Sequence, residues 1–300
     1  MAVVALGGGG GYRHMLALPA LVRKMAPDVI FCPGNHYTAV AAWTRLRLGR
    51  RCPPIVGKVS NATARGDHHA ALDLAHRAWL SRHGSFLDHL VAMTPATLGA
   101  AEAAMRMQGR ASVIPNPPAL GRGGQGVALP AGPVILGVGR LVAQKRWDRM
   151  IAALPRLDAA TSLVILGEGP LRATLTAQAA ALGVAARVHL PGHAADPLPT
   201  MARARVLVLP SDFEGVPGVL REALSVGTPV VATDSSRAIA EIVADPTLGS
   251  IVPRDDADAL VAALRHWLAD DAVRPDPLPQ PGADAAARYL TLFDRLVTRA

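Results

Sequence analysis

Cysteine is nearly absent: the 300-residue chain has only Cys32 and Cys52. Their spacing fits no zinc site and they build no disulfide framework, as expected of a chain that folds in a reducing compartment. Aromatic residues make up 4% of the sequence, too few for the stacking platforms that hold single-stranded nucleic acid, and no recognition motif accompanies them. A nucleic-acid partner is therefore not expected. No apolar run reaches the length of about 18 residues that a membrane-spanning helix needs, and Met1 is followed by neither a charged n-region nor a signal-like apolar stretch. The expected location is the cytosol. The single Asp-x-Asp, Asp256–Asp258, stands where a helix begins before Leu260 and Leu264. It reads as a cap, so neither a metal nor another cofactor is expected.

Acidic residues are scarce in one part of the chain. Residues 1–130 hold 14 Lys/Arg against 5 Asp/Glu and residues 131–300 hold 17 against 18, so the whole formal charge of +8 comes from the first part. The excess includes Arg45, Arg47, Arg50 and Arg51 near the end of one expected helix, then Arg65, Arg77 and Arg82 around another that carries Trp79. Two readings stand: a basic face toward anionic lipid at the inner membrane surface or toward a phosphate-bearing acceptor, and an ordinary solvated surface.

Half of the residues are hydrophobic, enough for two cores in a chain too long to be comfortable with one. The stretch NPPALGRGGQGVALPAGP is rich in glycine and proline and lacks periodicity, which marks a linker. Before it, Val3–Leu6, Asp28–Cys32, Ile55–Val59, His89–Met93 and Ser112–Ile114 read as strands. Helices are expected around Met15–Met25, His36–Leu48, Asp67–Ser81 and Ala96–Met107. After it, strands are expected near 134–138, 163–166, 188–190, 206–209 and 230–232. Both halves read as β-α repeats. The expected organisation is a first domain over 1–117, a linker over 118–132 and a second domain over 133–275. An amphipathic helix, Ala283–Val297, lies within 282–300.

The densest information lies in VLVLPSDFEGVPGVLREALSVGTPVVAT. Val206–Leu209 is the apolar run of a parallel strand covered on both faces, and Val230–Ala232 is the next. Between them Gly215 and Gly218 allow close backbone approach, Pro217 suits a helix start, and Gly227 with Pro229 stops the helix at about Ser225. The N–H groups at that start, near Gly218, can seat a phosphate. Glu222 lies about 7.5 Å along the axis and, since helical side chains lean toward the N-terminus, points back at the same place. Two carboxylates beside a phosphate seat suit sugar hydroxyls, although a solvated Glu on an exposed face has the same spacing.

This Glu214-x7-Glu222 context resembles the retaining glycosyltransferases of family 4. VGRLVAQKRWDRMIAAL, with Arg140 and Lys145, LVILGEGPLRATL and VHLPGHAAD match further segments of that family in order. The resemblance implies a GT-B-like α/β architecture with two Rossmann-type domains facing a cleft, the N-terminal one incomplete. It also implies a last helix that returns to the first domain. A retained-configuration, metal-independent transfer from a nucleotide diphosphate sugar to a hydroxyl of a glycan or lipid-linked acceptor follows. Glu214, Arg140 and Lys145 would be catalytic. Glu222, Gly215, Val216, Pro217, Gly218, Val219, Gly139, Gly167, Glu168, Gly192 and His193 would bind the donor. Read on their own, the glycines of LGEGPLR are equally turn formers, and His193 is equally a solvated loop residue.

The first domain departs from the family. Only about twenty residues precede the segment LVRKMAPDVIF, so its first two β-α units look missing, and Gly7–Gly11 reads as a flexible turn or, less simply, a phosphate loop. Where many members carry a histidine after the strand Ile55–Val59, this chain has Ser60 followed by Asn61. Asn61 and His36 are the acceptor-side candidates. A nucleotide-sugar-binding pseudoenzyme and a nucleotide-sugar epimerase remain as alternatives.

Overall fold

The computed structural model describes residues 11–34, 37–59, 70–119, 121 and 123–298, with the backbone alone for 11–16 and 70–71. Val3–Leu6, the Gly7–Gly11 turn except Gly11, His36, Ser60, Asn61 and Arg65 lie outside the described residues. In chain order the elements are α1 (Gly11–Met25), β1 (Ile30–Cys32), α2 (Thr38–Leu48), β2 (Ile55–Lys58), α3 (Ala70–Leu80), β3 (His89–Ala92), α4 (Pro95–Met105) and β4 (Ala111–Val113). There follow β5 (Val134–Val138), α5 (Trp147–Ala153), β6 (Ser162–Leu166), α6 (Arg172–Ala181), β7 (Val188–Gly192), α7 (Leu198–Arg203), β8 (Val206–Leu209) and α8 (Gly218–Ser225). The last are β9 (Val230–Thr233), α9 (Arg237–Ile242), β10 (Gly249–Val252), α10 (Ala257–Leu268) and α11 (Ala285–Thr298).

Two compact units result: residues 1–117 with 282–300, and residues 118–281. In the first, four parallel strands pair in the order β1-β2-β3-β4. Alternation sends Ile55 and Leu90 to one face, against Val22, Leu48, Leu80 and Met105, and their neighbours Val56 and Val91 to the other. That second face is covered by α11 through Ala285 and Leu292, with Tyr289 and Phe293 set edge-on to Phe31. Helix α4 starts where Thr94 and Thr97 exchange side-chain and backbone hydrogen bonds, which satisfies two otherwise orphaned N–H groups.

The second unit is a three-layer α/β/α sandwich around six parallel strands in the order β10-β9-β8-β5-β6-β7. On one face Ile135, Leu163, Val206 and Val231 meet Trp147, Leu175, Leu264 and Trp267. On the other, Leu136, Val164, Leu207 and Val230 meet Met201, Leu220, Leu224 and Ile239. Such two-sided burial is why these strands read as unbroken apolar runs.

Several sequence expectations need correction. Strand β10 is absent from them, because GSIV opens on Gly and Ser, has half-exposed middle residues and shows no apolar run. Gly249 is what lets it join β9, since a Cβ there would stand 2.1 Å from the Val230 carbonyl oxygen. Strand β7 runs on to Gly192, α4 begins at Pro95, and Pro217 is the extended residue before α8 rather than part of its first turn. The expected linker is tied down around Val127: its N–H donates to Thr200 Oγ1 at 2.8 Å, Arg203 donates to its carbonyl, and Val127 and Leu129 pack on the second face. The capping expectation holds for Asp256, whose Oδ1 accepts from Ala259 N–H at 2.8 Å at the start of α10, whereas Asp258 pairs with Arg156.

Glycine roles separate cleanly here. A Cβ on Gly167 would lie 1.9 Å from the Gly139 carbonyl oxygen, whereas one on Gly99, mid-helix in α4, meets no atom within 4 Å. Gly167→Ala should therefore lose on the order of 1–3 kcal/mol of stability through overpacking, and Gly99→Ala should gain about 0.5–1 kcal/mol by restricting the unfolded chain. Urea unfolding of the two variants checks both signs.

Candidate active site

In the second unit the chain proceeds from β5 outward to β6 and β7, then returns to the other side of β5 to lay down β8, β9 and β10. Connections after β5 and β8 therefore part to opposite faces at the carboxyl ends of adjacent strands, and such a switch point leaves a crevice. The sequence-derived candidates fall on these two connections and on those after β6 and β7.

Glu214 sits in the loop after β8 and is buried. Its Oε1 accepts from Lys145 Nζ at 2.6 Å and from Ser211 Oγ at 2.6 Å. Lys145 comes from the loop after β5, so this ion pair bridges the switch point. Its stem lies over Gly139, where a Cβ would stand 3.3 Å from Lys145 Cε. The β8 loop is held by further contacts that the sequence reading missed. Gln144 donates to the Phe213 carbonyl at 2.7 Å and accepts from Asp212 N–H at 2.9 Å. Asp212 receives both Arg146 and Arg149. The hydrogen bonds it donates to Asp148 first, and then to Asp212, hold the Arg146 guanidinium more firmly charged than usual. The Thr233 hydroxyl donates to the Ser211 carbonyl at 2.6 Å. Ser235 accepts Glu214 N–H through its carbonyl, and its own buried hydroxyl has no partner. Short polar residues in loops leave little mark on a sequence, and only the cation run after β5 hinted at this network.

Helix α8 opens at Gly218 without a side-chain cap. Glu222 leans back along it, its Oε1 3.5 Å from where a Gly218 Cβ would stand. Desolvation pushes its carboxyl above the ordinary carboxylate range. Val216 and Val219 pack into the core beneath, and the Gly215 carbonyl accepts from Ser236 Oγ, so this loop turns backbone rather than apolar side chains outward.

Glu222 also forms one wall of a cavity of about 590 Å³ that runs along the carboxyl ends of β5, β6 and β7. Gly139, Arg140, Gly167, Glu168 and His193 line it as well, so six of the candidates share one concavity. The Arg140 side chain is exposed and makes no hydrogen bond or ion pair among the described residues, while its carbonyl accepts from Trp147 Nε1 at 3.0 Å. Glu168 is spoken for by Arg172, which also donates to the Leu190 carbonyl at 2.8 Å. Gly192 lies underneath with φ +99°, its carbonyl accepting Gly167 N–H at 2.8 Å. Gly169 passes so close to Leu141 that a Cβ would stand 2.4 Å from its carbonyl oxygen. Both glycines of LGEGPLR thus stand where the chain passes too close to backbone for a side chain, and Gly167 also lines the cavity. Glu214 and Lys145 are not on its lining. Among the described residues no group of three or more His, Cys, Asp or Glu side chains is placed to hold a metal ion.

Residues 132–270 match the family model described as Glycosyl transferases group 1. The second unit is a glycosyl transferases group 1 domain. Over 140 residues the chain is 36% identical to the N-acetylgalactosamine-N,N'-diacetylbacillosaminyl-diphospho-undecaprenol 4-alpha-N-acetylgalactosaminyltransferase of Campylobacter jejuni, covering 47% of this chain and 38% of that one. Over 168 residues it is 38% identical to the GDP-mannose-dependent alpha-(1-6)-phosphatidylinositol monomannoside mannosyltransferase of Mycolicibacterium smegmatis, covering 52% and 44%. The chain thus spans less than half the length of these curated relatives. Among solved structures, a UDP complex of HepE from Anabaena superposes with a TM-score of 0.71 at 17% identity, over 95% of this chain and 80% of that one. The lipopolysaccharide outer core galactosyltransferase WaaB in its apo form gives 0.63 at 20% identity, over 96% and 78%. These likenesses establish a GT-B-like fold for a chain whose group 1 glycosyl transferase domain carries the Glu214 and Glu222 loop.

Two outcomes follow for this domain. Lys145→Ala strands a buried carboxylate with only Ser211 for company, and should cost about 3 kcal/mol, near the low end for breaking a buried pair. Adding Glu214→Gln should restore much of it, as chemical denaturation of the single and double variants will read. Glu222 behaves oppositely. Its folded-state pKa is raised, so the folded chain binds the proton more tightly than the unfolded one, and stability falls as pH rises from the ordinary carboxylate value through the raised one. The penalty persists at neutral pH. Glu222→Gln should then be at least as stable as the parent at pH 7, with the difference vanishing in acid; a parent that is clearly more stable at pH 7 would reveal a native partner for this carboxylate.

Proposed function

We propose that this chain transfers a sugar from a nucleotide diphosphate sugar to a hydroxyl of a glycan or lipid-linked acceptor, with the anomeric configuration retained and without a metal ion. The observation that carries the reading is Glu222, a half-buried carboxylate without a protein partner among the described residues, held over an uncapped helix start on the wall of the β5–β7 cavity. A carboxylate in that state is short of hydrogen-bond donors, and ribose hydroxyls supply them. The α8 N–H groups offer a seat for the diphosphate, and Arg140 supplies an unpaired cation for its charge. Glu214, fixed by Lys145 and Ser211, would hold the donor sugar's hydroxyls. As the bond from the anomeric carbon to the phosphate oxygen breaks, negative charge grows on the diphosphate, where Arg140 and the helix start stabilise it. An acceptor hydroxyl arriving on the same face bonds to the anomeric carbon and gives its proton to the departing phosphate oxygen, so no enzyme nucleophile is required. A GDP-mannose-dependent relative and a structural neighbour with UDP bound support a nucleotide sugar as donor. The reading also includes a cytoplasmic location, with the basic first unit resting against an anionic membrane.

A thermal-shift screen of UDP, GDP and their sugars tests donor binding, since a ligand of the native state raises the midpoint with occupancy. Failure of every nucleoside diphosphate to shift the midpoint would overturn the assignment. With a donor in hand, Arg140→Ala should lower turnover on the order of 10²-fold while changing nucleoside affinity far less, and a chelator should leave the parent rate unchanged. Equal losses in binding and turnover would make Arg140 a ground-state contact only.

A further inference from the structure

A second cavity, of about 570 Å³, lies in the first unit and is lined by none of the residues discussed as donor-binding. Its position follows from topology. Helix α1 ends at Met25 and feeds β1 at Ile30, and α2 ends at Leu48 and feeds β2 at Ile55 through a single turn over Gly49–Arg51. The cavity therefore opens at the amino ends of β1 and β2, the opposite end of the sheet from the one where α/β folds place substrates.

Its lining is chemically divided. Val22 and Leu48, both buried, and Pro27 give an apolar floor, whereas Arg23, Arg47 and Arg51 are exposed at its rim and no carboxylate lines it. Arginine near a helix C-terminus can simply answer the helix dipole, and Arg45 shows what an engaged one does here. It pairs with Asp88 and donates to the carbonyls of Phe86 and Cys52. The three rim arginines have no such partners: among the described residues none makes a side-chain hydrogen bond or ion pair, and Arg47 only lies over the Trp43 ring, 5.4 Å from its centroid. Three cations around one concavity repel each other unless an anion sits between them. Beside them Met25 and Leu46 are exposed, Leu46 at 73%. A free phosphate would use the rim and leave floor and flanks without a role; a phosphate attached to an apolar body uses all of them.

We propose that this cavity binds the phosphate of an anionic lipid, with Arg23, Arg47 and Arg51 as its ligands and Met25 and Leu46 entering the interface beside it. The proposal gives the membrane contact of the first unit a specific site and rests on that part of the proposed function alone; it is independent of the donor reading.

The test is co-sedimentation of the full chain with vesicles of phosphatidylcholine, and with equimolar phosphatidylcholine and phosphatidylglycerol. Parent protein should bind the anionic vesicles and not the neutral ones, less so as salt rises. The triple variant Arg23→Gln/Arg47→Gln/Arg51→Gln should bind roughly a hundredfold more weakly, at about tenfold or less per arginine near an anionic surface. Each single replacement should give a partial loss, so the outcome does not depend on the folding of the triple variant. A control lacking Arg77, Arg82 and Arg106, exposed elsewhere on the same unit, should retain binding. Equal loss in the control would show diffuse charge rather than a site, and unaltered binding by the cavity variants would overturn the proposal outright. Calorimetry with inorganic pyrophosphate separates the sources: cavity-dependent binding of pyrophosphate without vesicle binding would assign a soluble ligand and end the lipid reading. Because the donor screen reads a different unit, its failure and the failure of this proposal are distinguishable.

Discussion

The contact on which the second unit's working end depends is the ion pair between Lys145 and Glu214. It joins the loop after β5 to the loop after β8 across the place where the sheet changes direction. Left to themselves, two loops diverging over opposite faces of a sheet would be free to part. A buried charge pair resists that strongly, since separating it leaves a carboxylate in a low-dielectric setting without its cation. Ser211, Gln144 and the Asp212 arginines extend the same junction outward, so the loop that presents Glu214 and the start of α8 is held from several sides.

Around this junction, close backbone approach replaces side-chain packing. The ends of β5 and β6 meet so tightly that a Cβ on Gly167 would collide with the Gly139 carbonyl oxygen, and both glycines line the cavity. Glu222 faces that space in a state that costs stability at neutral pH, because its charge is desolvated without compensation. In the proposed function a ligand restores there what burial removed. The two carboxylates eight positions apart in sequence thus differ: Glu214 is satisfied by Lys145 and Ser211, and Glu222 has no protein partner among the described residues.

The first unit shows the other extreme of legibility. Its strands and helices follow from alternation and helical spacing, but its sheet has four described strands, and one face is closed by α11 from the far end of the chain. Charge counting along the sequence found the basic excess without finding where it converges. Arg45 and Arg47 are neighbours in one helix, yet one is consumed by Asp88 while the other rims a cavity with arginines from two further segments. Composition has no access to that distinction.

By itself the sequence determined what depends on short-range pattern. The apolar runs of β5, β6, β8 and β9, the helix start after Pro217, the left-handed stop at Gly227 and the Asp256 cap are all local choices of backbone and burial, and a resemblance in four ordered segments pointed to the family. Tertiary structure alone decided the rest. It paired Lys145 with Glu214 across 69 positions of chain, bound the apparent linker along α7, and added β10 through a glycine that its own segment gave no reason to read as strand. Each of these rests on groups far apart in sequence meeting at atomic distance, where a few tenths of an ångström decide between contact and collision. Periodicity along a chain carries no information at that range.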